Sequence, residues 1–164
     1  MTADETELRD ETFETFARDV GERVRRALVA SFGVEIGTEA AADAMSVAWE
    51  RWPALGQMSN PAGFLFRVGQ SKARPHLRWR SRRQTFPTAE PLSATPSAAN
   101  AGLIDLFAAL RRLKPEERAA VLLVKSYGYS YREVAELLGT TEASVNNFIH
   151  RGLIRLRTTM EVSE

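Results

Sequence analysis

Five polar side chains near the C-terminus, Ser144, Asn146, Asn147, His150 and Arg151, recur at the spacing of one helix face, with Asn146 at its flank and Thr141 just ahead of it. An asparagine side chain donates and accepts together, so Asn146 and Asn147 suit the N6/N7 edge of adenine. Arg151 suits guanine or a phosphate. His150 reads as a phosphate contact, because the only other histidine is His76 and two histidines without cysteine make no credible zinc site. A second set lies upstream, where Lys72, Arg74, Arg78, Arg80, Arg82 and Arg83 occur in residues 71–83 with no acid among them. Such a block neutralises phosphates and makes binding fall with salt. Trp79 stands inside it, and an indole stacked on an unpaired base contributes roughly 1–3 kcal/mol in single-strand binders. The competing reading of Trp79 is core packing at a helix end.

Catalysis has little to draw on. There is no cysteine, no phosphate-cradling glycine loop and no paired carboxylates in an apolar setting, so the chain is not expected to be an enzyme or to carry a metal or cofactor. The absence of cysteine also suits a reducing, cytoplasmic setting. Hydrophobic residues make up 44% of the 164, enough for a packed core. Net charge is only +1, yet it is unevenly placed. Residues 1–70 carry −5, residues 71–83 carry +6 and the remainder is neutral. A basic block between acidic and neutral segments predicts local contact with a polyanion rather than general adhesion.

The elements that must position these groups follow from caps and periodicity. Ser130 and Glu133 have capping-box spacing ahead of a short helix through Val134, Ala135, Leu137 and Leu138. Gly139 falls where a left-handed residue ends it, and Thr141 caps the next helix, whose buried stripe is Val145, Ile149, Leu153 and Leu156. The pair reads as a helix-turn-helix, with the polar face of its second helix turned to DNA. The stretch 84–102, with three prolines and no apolar period, reads as a flexible linker. It separates a helical unit at 1–83 from another at 103–164, an all-α, two-domain chain. In the first unit a helix is expected from Leu8 to about Ser31. Gly33 and Gly37 are expected to bracket a loop, Thr38 to cap a second helix stopped by Pro53, and Asn60-Pro61 to start a third that Pro75 kinks or breaks. The second unit is expected to hold four short helices.

Several motifs together resemble the small, extracytoplasmic-function sigma factors of the sigma-70 family. They are Leu113, Pro115 and Arg118 in a leucine-rich "L-x-P-x-x-R" turn, Ser130 to Gly139 as "S-Y-x-E-V-A-x-L-L-G", and His150 to Arg157 as "H-R-G-x-x-x-L-R". AWERWPAL and NPAGFLFRV add a thinner match in the first unit. The resemblance implies a promoter-specific initiation factor with promoter DNA and core RNA polymerase as partners and an anti-sigma factor as regulator. It implies upstream-element reading by Thr141, Ser144, Asn146, Asn147, His150 and Arg151. It also implies downstream-element contact by the basic block and Trp79, and polymerase contact by Glu39, Asp43 and Trp49. The chain departs from the pattern in TEAAADAM, which keeps only two of the usual acids, and at Gln70, Ser71, Pro75 and Asn146. A sigma-like DNA-binding regulator that no longer recruits polymerase, and a protein-interaction adaptor, are the alternatives.

Overall fold

The computed structural model describes residues 2–77, 85–87 and 98–162, with the backbone alone at 98–101. Every regular element among them is helical. Thr2 and Glu5 close a capping box on α1 (Ala3–Phe16), which runs through a π-turn at Ala17–Gly21 into α2 (Glu22–Phe32). The expected single helix is thus continuous but re-phased. The extra residue of a π-turn rotates the downstream face, and Val24, Ala27 and Leu28 come to the core while α1 buries none of its residues.

The loop expected between Gly33 and Gly37 is absent. Gly33 turns the chain in one residue at φ 91°, and α3 (Val34–Glu50) begins at once. Thr38 therefore lies inside α3 rather than capping it. Val34 N–H, an orphan donor at a helix start, donates to the Thr85 carbonyl at 2.8 Å. Gly37 serves a different need from the one its sequence position suggested. A Cβ there would sit 2.5 Å from Val29 Cα, so its lack of a side chain lets α3 cross α2 at close range. The helix ends before Pro53, as expected.

Asn60 caps α4 (Pro61–Ala73), its side chain accepting from Gly63 N–H at 3.0 Å, and proline occupies the first turn. Pro75 acts as anticipated. The α-helix stops at Ala73 and a 3-10 turn, Arg74–His76, takes over. Among the described residues four further helices follow: α5 (Ala98–Arg111), α6 (Pro115–Lys125), α7 (Tyr131–Leu138) and α8 (Glu142–Val162). The start of α5 falls within the stretch read as linker.

The two units do not stand apart. One apolar cluster runs from Leu28 and Leu65 to Leu110, Leu123 and Val134, with α2 packed on α6 and α4 on α7. Phe86, the one aromatic residue of the linker stretch, is buried in that cluster against Phe107, ring centroids 6.0 Å apart. Arg118, 3% exposed, joins the halves: its Nε donates to the Ser31 carbonyl at 2.9 Å, and its Nη2 donates to the same oxygen.

Two glycines should respond oppositely to alanine. Gly37→Ala forces a methyl into the Val29 backbone and should cost about 1–3 kcal/mol of stability. Gly102→Ala, inside α5 with open space around it, should add about 0.5–1 kcal/mol. Urea denaturation measures both, and equal shifts would contradict the packing described.

Candidate nucleic-acid interface

The helix-turn-helix is built as its caps dictate. Ser130 Oγ accepts from Glu133 N–H at 3.1 Å, and Glu133 Oε2 accepts in return from Ser130 N–H at 2.7 Å. Gly139 adopts φ 64°, ψ 40°, a left-handed conformation that carries a steric cost for any side chain. Thr140 N–H then closes on the Ala135 carbonyl at 2.9 Å. Thr141 Oγ1 accepts from Ser144 N–H at 3.1 Å while its hydroxyl donates to Ser144 Oγ at 3.0 Å. These two hydroxyls are thus engaged first in fixing the start of α8.

The inner face of α8 is Val145, Ile149, Gly152 and Leu156; Leu153, expected in that stripe, is half-buried. Gly152 allows the close seat on α6, because a Cβ would lie 2.9 Å from Val121 Cγ2. Arg155 fixes the rotation of the helix by pairing with the buried Glu117 carboxylate at 3.1 Å. With that face committed, Asn146, Asn147, His150 and Arg151 point outward and are exposed, Thr141 is exposed ahead of them and Ser144 is half-buried. One continuous polar surface results. Arg132, exposed in the first turn of α7, and Arg157, exposed further along α8, are additional cations of this unit. Projecting the short helix and its cap would have found Arg132.

The upstream basic set is only partly placed. Lys72 is exposed in the last turn of α4 and Arg74 in the 3-10 turn that follows. Arg78, Trp79, Arg80, Arg82 and Arg83 lie outside the described residues. Glu39 and Asp43 are exposed one turn apart on α3. Trp49, at the end of that helix and 40% exposed, is enclosed on one side by α1. Phe13 meets it edge-on at 4.9 Å, and the Arg9 guanidinium lies 4.8 Å from its ring centre. Phe13 and Phe16 also pack on Trp52, at 5.5 and 4.9 Å.

Sequence reasoning missed the groups that join the two units. Arg26 Nη1 donates to the Tyr129 hydroxyl at 3.1 Å and its guanidinium lies 5.2 Å from the Tyr127 ring centre. Asn60 Nδ2 donates to the Glu136 carbonyl at 3.0 Å, and Arg67 Nη2 reaches the Gly139 carbonyl at 3.4 Å. A lone phenylalanine in a tract of Pro, Ala, Ser and Thr was the one available signal, for Phe86. The others are surface types until both units are in place.

Removing the turn chemistry has a defined cost. Ser130→Ala should lower stability by about 1 kcal/mol, and Gly139→Ala by about 1–2 kcal/mol, measured by thermal unfolding at fixed pH. An unchanged midpoint for both would contradict the caps as drawn.

Residues 103–156 match the family model described as sigma-70, region 4. The RNA polymerase sigma factor CarQ of Myxococcus xanthus is 38% identical over 71 residues, 43% of this chain and 41% of CarQ. The ECF RNA polymerase sigma factor SigJ of Mycobacterium tuberculosis is 34% identical over 128 residues, covering 68% of this chain and 40% of SigJ. The chain therefore spans about two fifths of the length of either relative. Among solved structures, the sigma factor RpoE of Bartonella quintana, in complex with the anti-sigma factor NepR, superposes with a TM-score of 0.60 at 20% identity. That match covers 94% of this chain and 99% of RpoE. CnrH, in complex with the cytosolic domain of CnrY, gives a TM-score of 0.60 at 20% identity over 94% of this chain and 91% of its own. Both share the fold.

Proposed function

We propose that this chain, whose residues 103–156 match the sigma-70 region 4 model, is a promoter-selecting initiation factor of that family for RNA polymerase. The observation that carries the reading is the exposed polar face of α8, held outward by a capped turn, a glycine seat and the Arg155–Glu117 pair. An α-helix fits the major groove, where each base pair presents its own donor and acceptor pattern. Asn146 and Asn147 read adenine edges, Arg151 reads guanine or holds a phosphate, and His150 and Ser144 contact the backbone. Thr141 sets the start of the helix, where main-chain N–H groups meet phosphate. The named relatives, both RNA polymerase sigma factors, support the same assignment.

The N-terminal unit has the complementary roles. Lys72 and Arg74, with Arg78, Arg80, Arg82, Arg83 and Trp79 beyond them, engage the melted downstream element. Strand opening is then driven by binding energy and base capture, with no covalent chemistry. Glu39 and Asp43 on the outer side of α3, with the edge of Trp49, contact core polymerase. Two acids make a small electrostatic surface, which favours the sigma-like regulator more than a full acidic cluster would. Co-purification with core polymerase separates the two. An anti-sigma protein is the proposed negative regulator, in keeping with the complex with an anti-sigma factor in which RpoE was solved.

Asn147→Ala and Arg151→Ala should each weaken binding to the selected upstream element by roughly 10- to 100-fold, the equivalent of about 1–3 kcal/mol per lost base contact. Polymerase association should be unchanged. Wild-type promoter choice by the double variant in a transcription assay would refute the assignment of α8. Arg74→Ala should instead weaken binding evenly across sequences and reduce the salt slope by about one.

A further inference from the structure

The start of α8 meets solvent through methyl groups, where the rest of its outer face is polar. Thr141 Oγ1 accepts from Ser144 N–H at 3.1 Å and its hydroxyl donates to Ser144 Oγ at 3.0 Å, so the group that Thr141 can still offer is its methyl. Ala143, two residues on, is exposed. It stands one turn ahead of Asn147 on the side of α8 opposite the buried Val145, Ile149 and Gly152. A Cα–Cβ bond leans toward the start of its helix, which carries the Ala143 methyl toward the end whose residues contact base edges in a helix-turn-helix. Glu142 is exposed too, but about 100° around the axis, on the side of Asn146. Its carboxylate suits an amino donor such as cytosine N4. Cytosine is therefore the base that would be selected if Glu142, and not Ala143, met the DNA first.

We propose that the methyl groups of Thr141 and Ala143 read the C5-methyl of thymine, making T a selected base of the upstream element. This role rests on the promoter-reading function proposed above. In the major groove thymine alone of the four bases presents a methyl, beside its O4 acceptor, whereas cytosine presents an N4 donor. Contact between the protein methyls and the thymine methyl removes apolar surface from water, a gain of roughly fourfold in affinity for each methyl-sized group buried. Cytosine in the same place forgoes that gain and leaves its N4 donor facing carbon, without an acceptor. The free main-chain N–H groups of the same turn point along the helix axis, to phosphate, and do not compete for the base edge. Asn147, one turn on, meets an adenine. Methyl and amide contacts then favour the same A·T-rich step.

Uracil differs from thymine only by that methyl, so the first measurement leaves the protein unchanged. The full-length chain, with and without core polymerase, selects an upstream element from random duplexes, and each thymine of that element is then replaced in turn by uracil. At one or two thymines binding should fall roughly fourfold. Thr141→Ser keeps the capping hydroxyl and removes only a methyl, and Ala143→Gly removes the other. With both changes the preference for thymine over uracil should shrink to less than about twofold, a coupling that a merely structural role for these residues would not produce. Cytosine at the same position should bind more weakly than thymine, and 5-methylcytosine should recover about fourfold over cytosine with the wild-type chain only. Equal binding of uracil and thymine at every position, methyl sensitivity that survives intact in the double variant, or an element without thymine would overturn thymine reading while leaving α8 a reader of bases. If the selection yields no element, the promoter-reading function falls and thymine reading falls with it.

Discussion

A buried guanidinium must have all its donors answered or the site is unstable, and Arg118 meets that demand by gathering main-chain carbonyls from the ends of two helices. Burial pulls its pKa down to about 10, so it remains charged at neutral pH. The end of α2 is thereby tied to the start of α6, and α6 in turn carries α8 through Gly152 and the Glu117–Arg155 pair. Together with the apolar cluster and the contacts of Arg26, Asn60 and Arg67, this cation sets how the outer face of α8 is oriented relative to the N-terminal unit. Substituting it would leave Ser31, Leu110 and Leu113 carbonyls short of a donor in an apolar setting.

The helix-turn-helix was legible in the sequence because its determinants are local. A capping box, a left-handed glycine and an N-cap threonine each act within four residues, and all three are realised at Ser130, Gly139 and Thr141. The outward face of α8 was legible for the same reason: apolar residues at helical spacing assign the opposite side by exclusion. Pro75 and Asn60-Pro61 acted as their backbone chemistry requires.

What depended on distant residues was not legible. Gly37 looked like a loop residue because glycine marks both turns and close helix crossings, and only the position of Val29 decides between them. The π-turn at Ala17–Gly21 shifts the phase of the first helix by one residue, which a periodic stripe of large side chains conceals. The linker stretch was read from composition alone, so the burial of Phe86 and the contact of Thr85 with the start of α3 could not be foreseen. Arg118 was visible as part of a motif, but its partner Ser31 lies 87 positions away.

The central claim is that α8 selects promoters by reading bases in a major groove. The most direct test is transcription in vitro with core polymerase, the wild-type chain and a library of genomic fragments, with start sites mapped by sequencing. Starts that depend on the chain and share an upstream element at a fixed distance are the predicted result. Starts no different from those of core polymerase alone, or lacking any common upstream sequence, would contradict it.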